Sequence, residues 1–171
     1  IEGGFFSNFR YKNISLRTDF VFKSGNWINN VVRQQRNADG DQVDSNQATS
    51  AFNYWKQPGD TNVQPSPLYR QDDINVNSDR FLEKGDYIRL RNVTLAYNFS
   101  KEVLDKTPFS SLRFYVQGQN LLTFTDFYGD PEVGISSGET ISFAGTVAPG
   151  EITLYSYPNL KSFQIGLDVS F

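Results

Sequence analysis

The sequence lacks three residue types entirely, since its 171 residues contain no cysteine, no histidine and no methionine. Without cysteine there is neither a disulfide framework nor a thiolate metal site. Without histidine the commonest metal ligand and general base are missing, together with the catalytic triads that use them. We therefore predict no catalytic residue and no cofactor, and a role other than that of an enzyme.

Runs of one charge sign and long apolar runs are also missing. The formal net charge is −3, from 16 basic and 19 acidic residues spread along the chain. Such a balance gives no electrostatic footprint for nucleic acid. No apolar run approaches the ~20 residues of a membrane-spanning helix. Because the chain starts at Ile1 with neither a methionine nor a leader, we expect a processed or truncated piece of a longer protein.

Aromatic residues and a period of two are what the sequence has in excess. Phenylalanine, tyrosine and tryptophan make up 15% of the chain. Apolar and polar residues alternate in five segments, which is typical of strands with two different faces. The predicted strands cover about 4–11, 14–23, 86–99, 111–125 and 160–171. In the third strand the alternation slips, which predicts a bulge near Arg91-Asn92. In the fourth, Asn120 falls on the apolar side unless a bulge near Gly118 intervenes.

The last strand is the clearest of the five. Its apolar row is Phe163, Ile165, Leu167, Val169 and Phe171. An apolar row at a chain end suits a soluble protein poorly, because termini fray and exposed edges aggregate. In an outer-membrane barrel the same row faces lipid, and the last strand closes the wall against the first. We predict that these five residues face lipid and serve closure, with the barrel-assembly machinery as a partner.

Connection lengths predict an orientation. The strands are joined in order by a short turn at Lys12-Asn13, a long interval at about 24–85, a short connection at 100–110 and a long interval at about 126–159. Bacterial outer-membrane barrels have short periplasmic turns and long extracellular loops. The two long intervals are therefore predicted to be extracellular loops, and the carboxyl terminus at Phe171 to be periplasmic. Aromatic residues at both ends of the strands agree with two interfacial girdles.

Several stretches resemble a known family. They are 3–12, 78–97, 112–124, 128–133 and 157–171. In order and spacing they resemble the C-terminal barrel region of SusC/RagA-type TonB-dependent outer-membrane transporters of Bacteroidetes. Five strands cannot close a barrel, since the smallest have about eight. The resemblance implies an all-β fold, in which this chain supplies the last five antiparallel strands and two extracellular loops of a 22-stranded barrel.

The resemblance also implies partners. These are an N-terminal plug domain that is not in this chain, TonB acting on that absent part, and a SusD-like lipoprotein that helps to capture glycans or oligopeptides. Arg10, Arg17, Asp19, Arg113, Gln117 and Asp168 are predicted to face the lumen. They could line a solute path, but we favour pairing with one another or with the plug, because charges near low-dielectric walls seek partners.

Two groups in the loops are candidate sites. Asp39, Asp41 and Asp44 place oxygen ligands around a glycine, as calcium loops do, but the spacing does not complete an EF-hand and a solvated loop is favoured. The turn around Asp130 is weighed in the same way, and turn chemistry is favoured over cation binding. Trp27, Tyr54, Trp55 and Tyr69 are candidates for contact with substrate or lid. Packing of the loop onto itself is the equally weighted alternative.

Two other functions remain open from the sequence. A secreted, soluble β-sandwich that binds carbohydrate would explain the aromatic residues and the polar loops equally well. It would not explain the alternation of short and long connections or the apolar ending. A barrel that is not an importer, such as a secretion channel, would have the same strands.

Overall fold

The computed structural model describes residues 1–37, 39, 44, 46–61, 63–67, 79–133, 142–143, 146–147, 151–152 and 157–171. Two compact units divide the chain. The first consists of Ile1–Asn26, Gly85–Pro131 and Pro158–Phe171, and the second of Trp27–Lys84 and Glu132–Tyr157. Over the described ranges no helix is both long and apolar enough to cross a membrane.

Strands dominate the secondary structure. In chain order they are β1 (Glu2–Tyr11), β2 (Ile14–Lys23), β3 (Trp27–Asn29), β4 (Leu82–Lys84), β5 (Tyr87–Asn98), β6 (Ser111–Thr125), β7 (Ser142–Phe143), β8 (Thr146–Val147), β9 (Glu151–Ile152) and β10 (Ser162–Ser170). The α-helices are α1 (Val31–Asn37) and α2 (Lys101–Leu104), and 3-10 helices lie at Thr49–Phe52 and Asp79–Phe81.

The first unit is a five-stranded antiparallel sheet with the order β1-β2-β5-β6-β10. Each of the five segments with a period of two forms one of these strands, and the bounds differ from the predicted ones by at most two residues. The turn between β1 and β2 is as short as predicted. Lys12 there has a φ of 51°, the positive value that tight hairpins require.

A bulge crosses three strands at one level, as the slip in β5 predicts. Leu90 pairs with Phe20 on β2 and Leu122 on β6, whereas the next paired residue is Asn92. One residue, Arg91, is therefore extra on β5 and reverses the parity of its apolar row. On β6 two residues are extra, Asn120 and Leu121, so the parity is kept. Asn120 takes up the bend with a φ of 52°, a conformation that asparagine tolerates better than most residues.

The second unit contains more regular structure than the sequence predicts. A three-stranded sheet of the order β4-β3-β9 pairs β3 antiparallel to β4 and parallel to β9. Its core includes Ile28 and Phe81, which are fully buried. The interval over about 24–85 shows no period of two in the sequence, because strands of three residues are too short to show one.

Polar side chains also pack inside the second unit. Asn37 is buried, accepts a hydrogen bond from the Ser50 hydroxyl and donates one to the Gln64 side chain. Arg33 forms an ion pair with Glu83, with a nitrogen-to-oxygen distance of 2.8 Å. Buried polar groups are tolerated where they are hydrogen-bonded in this way. Side-chain hydrogen bonds therefore help to fix the fold of this loop.

Candidate functional site

The five-stranded sheet has one face that is almost entirely apolar, and we refer to it as the apolar face. Cross-strand pairing places the following residues on it: Phe5, Phe9, Tyr11, Ile14, Leu16, Phe20, Phe22, Ile88, Leu90, Val93, Leu95, Tyr97, Leu112, Phe114, Val116, Leu122, Phe124, Phe163, Ile165, Leu167 and Val169. Among the paired positions of these five strands, only Gly3, Ser7, Thr18 and Gly118 interrupt the apolar row. None of the paired positions on this face is charged.

Most of the apolar face is exposed rather than packed. On β10, Phe163 and Ile165 expose 72% and 74% of their surface, and Leu167 exposes 58%. Contiguous apolar patches of this extent mark a protein or membrane contact, because water would penalise them. Four residues predicted to face lipid on the last strand, from Phe163 to Val169, therefore lie together on this face. Phe171 follows the strand and packs edge-on against Phe109, with ring centroids 5.4 Å apart.

The opposite face, which we refer to as the polar face, carries the residues predicted to face the lumen. Arg10 lies opposite Ser15, and Arg17 lies opposite Asn8 and Thr94. Asp19 lies opposite Phe6 and Asn92. Gln117 lies opposite Thr94 and Gln164, and Arg113 lies opposite Asp168. All six predicted residues share this one face. That the face lines a lumen stays a prediction.

Two of the arginines on the polar face are held by a carboxylate and an aromatic ring. Nε of Arg17 lies 3.0 Å from Asp19, and its guanidinium lies 5.4 Å from the Phe6 ring centroid. Nη1 of Arg113 lies 2.9 Å from Oδ2 of Asp168, and Cζ of the same guanidinium lies 5.1 Å from the Tyr115 ring centroid. An ion pair fixes each guanidinium, and the ring adds cation–π attraction. The prediction that charges on this face pair with one another holds for these two arginines.

A trough of about 590 Å³ lies on the polar face. Its lining includes the charged residues Arg10, Arg17, Arg113 and Asp168 and the smaller Ser15 and Thr94. The side chain of Tyr115 borders the same trough and leans over Gly166 on β10, where an added Cβ would come within 2.2 Å of the ring. Only glycine at position 166 leaves room for this ring position.

The base of the second long interval is fastened to β5 by a buried ion pair. Nη2 of Arg89 lies 2.5 Å from Oδ1 of Asp130, and these side chains are 2% and 9% exposed. The second carboxylate oxygen of Asp130 accepts a hydrogen bond from the amide of Asn159 at 2.9 Å. The aspartate thus joins residues at the beginning and the end of the interval to one strand. Phe127 and Pro131, which lie near Asp130 in the sequence, are buried as well.

This arrangement decides how the turn at Asp130 is used. The sequence leaves cation binding and turn chemistry as alternatives at this position, with the turn favoured. In the structure the carboxylate forms an ion pair with a buried guanidinium. Sequence analysis missed the partnership of Arg89 and Asp130. No local signal in the sequence marks it, because an arginine between two apolar residues, as between Ile88 and Leu90, is the ordinary alternation of this sheet.

Two of the three candidate calcium ligands lie among the described residues. Asp39 is buried and forms an ion pair with Arg80, and Asp44 is exposed. Asp41 lies outside the described residues. Within the described ranges no group of three or more acidic or other metal-ligating side chains is arranged to hold a metal ion. The side chain of Asp39 therefore has a structural partner in Arg80.

The candidate aromatic contacts are partly exposed. Trp27 and Trp55 expose 51% and 43% of their surface, and Tyr54 is half-buried with Nζ of Lys56 located 5.3 Å from its ring centroid. Tyr69 lies outside the described residues. Sequence analysis missed Phe52, which is 79% exposed at the end of a 3-10 helix.

Backbone hydrogen bonds order the segment that carries Phe52, Tyr54 and Trp55. The amide of Trp55 donates to the carbonyl of Gln64, and the amide of Gln64 donates to that of Asn53, each at 2.8 Å. Asp60 accepts hydrogen bonds from the amides of Lys56 and Gln57. Such local bonds stabilise a turn and order the side chains that it carries. The exposed rings of this segment therefore sit on an ordered loop.

Comparisons with known proteins give relatives whose alignments cover nearly the whole of this chain. The chain matches no family model. Three TonB-dependent receptors of Formosa agariphila are 32%, 28% and 28% identical to it over 170, 172 and 169 residues. These alignments cover 98–99% of this chain but 16% of each receptor. The chain thus spans about a sixth of the length of the curated relatives that it matches.

Solved structures of a peptide importer, RagAB, are similar in fold. The structure of its closed-closed state gives a TM-score of 0.79 at 26% identity, and a structure of the RagAB peptide transporter gives 0.77 at 27%. The open-open state gives 0.71 at 26% identity. Each match covers 99% of this chain and 17% of the solved chain.

Proposed function

We propose that this chain supplies part of the wall and mouth of a nutrient importer. In sequence and fold it corresponds to a section of the barrel of SusC/RagA-type TonB-dependent receptors of the outer membrane. The single observation that carries the proposal is the division of one sheet into an exposed apolar face and a charged polar face. A soluble β-sandwich would instead cover its apolar face with a second sheet. The apolar face then contacts lipid and the polar face lines the interior.

The proposed role of the chain is transport without covalent chemistry. Energy would reach the importer through TonB, acting on a plug domain outside this chain. The five strands give a fixed wall, because antiparallel pairing satisfies the backbone within the membrane. The two long intervals contribute to the extracellular mouth, where a SusD-like lipoprotein and the substrate meet. RagAB is a peptide importer, which favours oligopeptides over glycans as the substrate class.

A first test concerns the apolar face. Replacing Leu167 with Arg places a charge on that face and should cost about 2–4 kcal/mol if the residue lies near the bilayer midplane. The matched control is Gln164→Arg, three residues away on the polar face of the same strand. Only Leu167→Arg should reduce the amount of heat-modifiable, membrane-inserted barrel. Equal insertion of the two variants would contradict the assignment of the faces.

A second test concerns orientation. The chain has no cysteine, so single cysteines report their own positions in a full-length protein that is otherwise free of accessible thiols. We expect Phe52→Cys to react in intact cells with a polymer-linked maleimide too large for porins. Lys12→Cys, in the short turn, should react only after the outer membrane is permeabilised. The opposite pattern would refute a periplasmic carboxyl terminus.

A third test concerns the exposed aromatic rings. We propose that Trp55, with Phe52, Tyr54 and Trp27, contacts the lipoprotein or the substrate, since aromatic side chains offer large contact areas and often dominate binding. The double variant Phe52→Ala with Trp55→Ala should weaken co-purification of the lipoprotein or uptake of peptide. Val103→Ala, an exposed apolar residue in α2, is the control. Unchanged binding and uptake in the double variant would exclude the contact.

A further inference from the structure

A groove of about 510 Å³ lies at one end of the apolar face, where β2 and β6 lead into the two long intervals. Ile88 on β5 lies between Phe22 on β2 and Phe124 on β6 in one cross-strand row that lines it. These three strands are the inner strands of the sheet, and each has a paired neighbour on both sides. Strands of this chain alone therefore build the groove.

The ring of Phe22 leans away from the groove. A Cβ added to Gly3 on β1 would come within 2.9 Å of Cζ of this ring, so the ring lies over the glycine, on the side away from β5. The glycine thus leaves room for the ring, and the ring leaves the space above the smaller Ile88 open. Ile88 and Phe124 expose 36% and 61% of their surface. The groove is therefore an open apolar channel with an aromatic ring on each side.

The rim of the groove carries charge. One step beyond the apolar row, in the same parity, the lining consists of Ser24, Asp86 and Asp126. Oδ1 of Asp86 accepts a hydrogen bond from the amide of Gly25 at 2.7 Å. Asp126 is exposed, and over the described residues no basic group lies within ion-pair distance of it. Since Lys23 also lines the groove, the rim offers two carboxylates and one ammonium.

This charge decides which lipid fits the groove. Acyl chains surround a membrane protein on all sides, so contact with a chain alone brings no hydrophobic gain and selects no lipid. A primary ammonium has three N–H donors for carboxylates, and hydrogen bonds between charged groups are roughly twice as strong as neutral ones. A headgroup that is only anionic would be repelled by the two carboxylates. The rim therefore favours a headgroup with a primary ammonium.

We propose that the groove binds a bilayer phospholipid whose headgroup carries a primary ammonium, with one acyl chain between the rings of Phe22 and Phe124 and the ammonium at Asp126. Lys23 supplies the charge opposite to the phosphate of such a lipid. This inference rests on the proposed function, which places the apolar face in the bilayer. It goes beyond that function, because it assigns one site to one class of lipid on a face that elsewhere contacts any acyl chain.

The experiment uses the full-length protein in nanodiscs of phosphatidylcholine, whose trimethylated amine has no N–H donor. Phosphatidylethanolamine with a photoreactive acyl chain is added in trace amounts, and the labelled peptides are identified by mass spectrometry. We expect labelling to concentrate at the groove. Replacing half of the bulk lipid with unlabelled phosphatidylethanolamine should lower that labelling about fivefold, because its ammonium competes for the carboxylates. The same amount of phosphatidylglycerol should lower it little.

Two pairs of variants separate the site from the rest of the apolar face. Ile88→Trp fills the channel and should lower labelling at the groove about fivefold. Leu95→Trp, exposed on the same face of the same strand, should not. Asp126→Asn should reduce labelling at the groove to the level found elsewhere on the face, because the ammonium loses its counter-charge. Asp105→Asn, at an exposed acid between β5 and β6, should leave it unchanged.

Equal competition by the two added lipids, or equal labelling within either pair of variants, would overturn the proposal. So would a cross-link to a protein from a photoreactive amino acid at position 88 in native outer membranes, because another chain would then fill the groove. Labelling along the whole face gives a separate readout. Label spread evenly over the apolar face rejects this lipid site alone, whereas an apolar face that takes no label rejects the proposed function with it.

Discussion

Replacing Asp130 with Ala should open the base of the second long interval. The carboxylate is 9% exposed and faces Arg89, which is 2% exposed, across 2.5 Å. Removing one partner of a buried ion pair leaves an uncompensated charge and typically costs about 3–5 kcal/mol. At 1.36 kcal/mol per tenfold change, the population with an open base should rise roughly 10²- to 10⁴-fold. The hydrogen bond from the amide of Asn159 is lost as well.

Hydrogen exchange of individual amides measures this opening, because local unfolding has its own free energy below that of the whole barrel. The amides of Phe127 and Gly129 donate to Oγ1 of Thr125 and to the carbonyl of Phe127, at 3.1 and 3.0 Å. Neither donates to Asp130, so both report the opening rather than the deleted group. Their exchange should accelerate toward the unprotected rate, while amides in β10 keep theirs.

Two further variants separate the buried pair from a general effect of charge. Asp126→Ala removes an exposed acid at the start of the same interval and should leave exchange unchanged. Arg89→Met combined with Asp130→Ala removes both charges, and it should be less open than Asp130→Ala alone, because no charge is then left buried. The reasoning is refuted if Asp130→Ala exchanges no faster than Asp126→Ala, or if the double variant is as open as the single one.

Three other predictions follow from the backbone and the aromatic contacts, each read from the temperature at which the heat-modifiable barrel unfolds on a gel. Gly166→Ala places a Cβ within 2.2 Å of the Tyr115 ring and should destabilise by about 1–3 kcal/mol; Tyr115→Ser should restore stability, and a failure to do so would exclude the ring as the cause. Asn120→Val should cost about 1–2 kcal/mol at a φ of 52°, whereas Asn120→Gly should be tolerated; equal loss in both would point to the side chain instead. Phe109→Ala removes the ring against Phe171 and should lower the unfolding temperature no further in a variant that already lacks Phe171. Additive losses would show that the two rings act separately.

The five long strands were predictable because their residues alternate over nine or more positions. Even the bulge was visible, since the single extra residue Arg91 reverses the apolar parity of β5. On β6 the two extra residues keep the parity, so the sequence showed only an awkward Asn120. Short elements such as β3 and β4 could not be predicted, because three residues contain no measurable period and their pairing joins distant parts of the chain.

The residues of the candidate site also fall into those that the sequence could predict and those that it could not. The polar residues Arg17 and Arg113 were placed on one face by parity alone, and cross-strand pairing then brought Arg113 to Asp168. The partnership of Arg89 with Asp130 spans 41 residues and depends on how a turn folds back over a strand. No local pattern in a sequence encodes such a contact. The exposure of Phe52 is of the same kind, since phenylalanine is among the residues most often buried and its exposure here depends on how the loop folds.

The bulge that crosses β2, β5 and β6 also marks where this wall can change length. In a two-sided strand, inserting or deleting one residue turns over every side chain beyond it. At the level of Arg91 the chain has already absorbed one such residue, and the neighbouring strand has absorbed two. Related proteins should therefore tolerate length differences at this level while keeping lipid-facing and interior-facing residues in place on both sides of it. A comparison of many related sequences should place its gaps within membrane strands at the bulge.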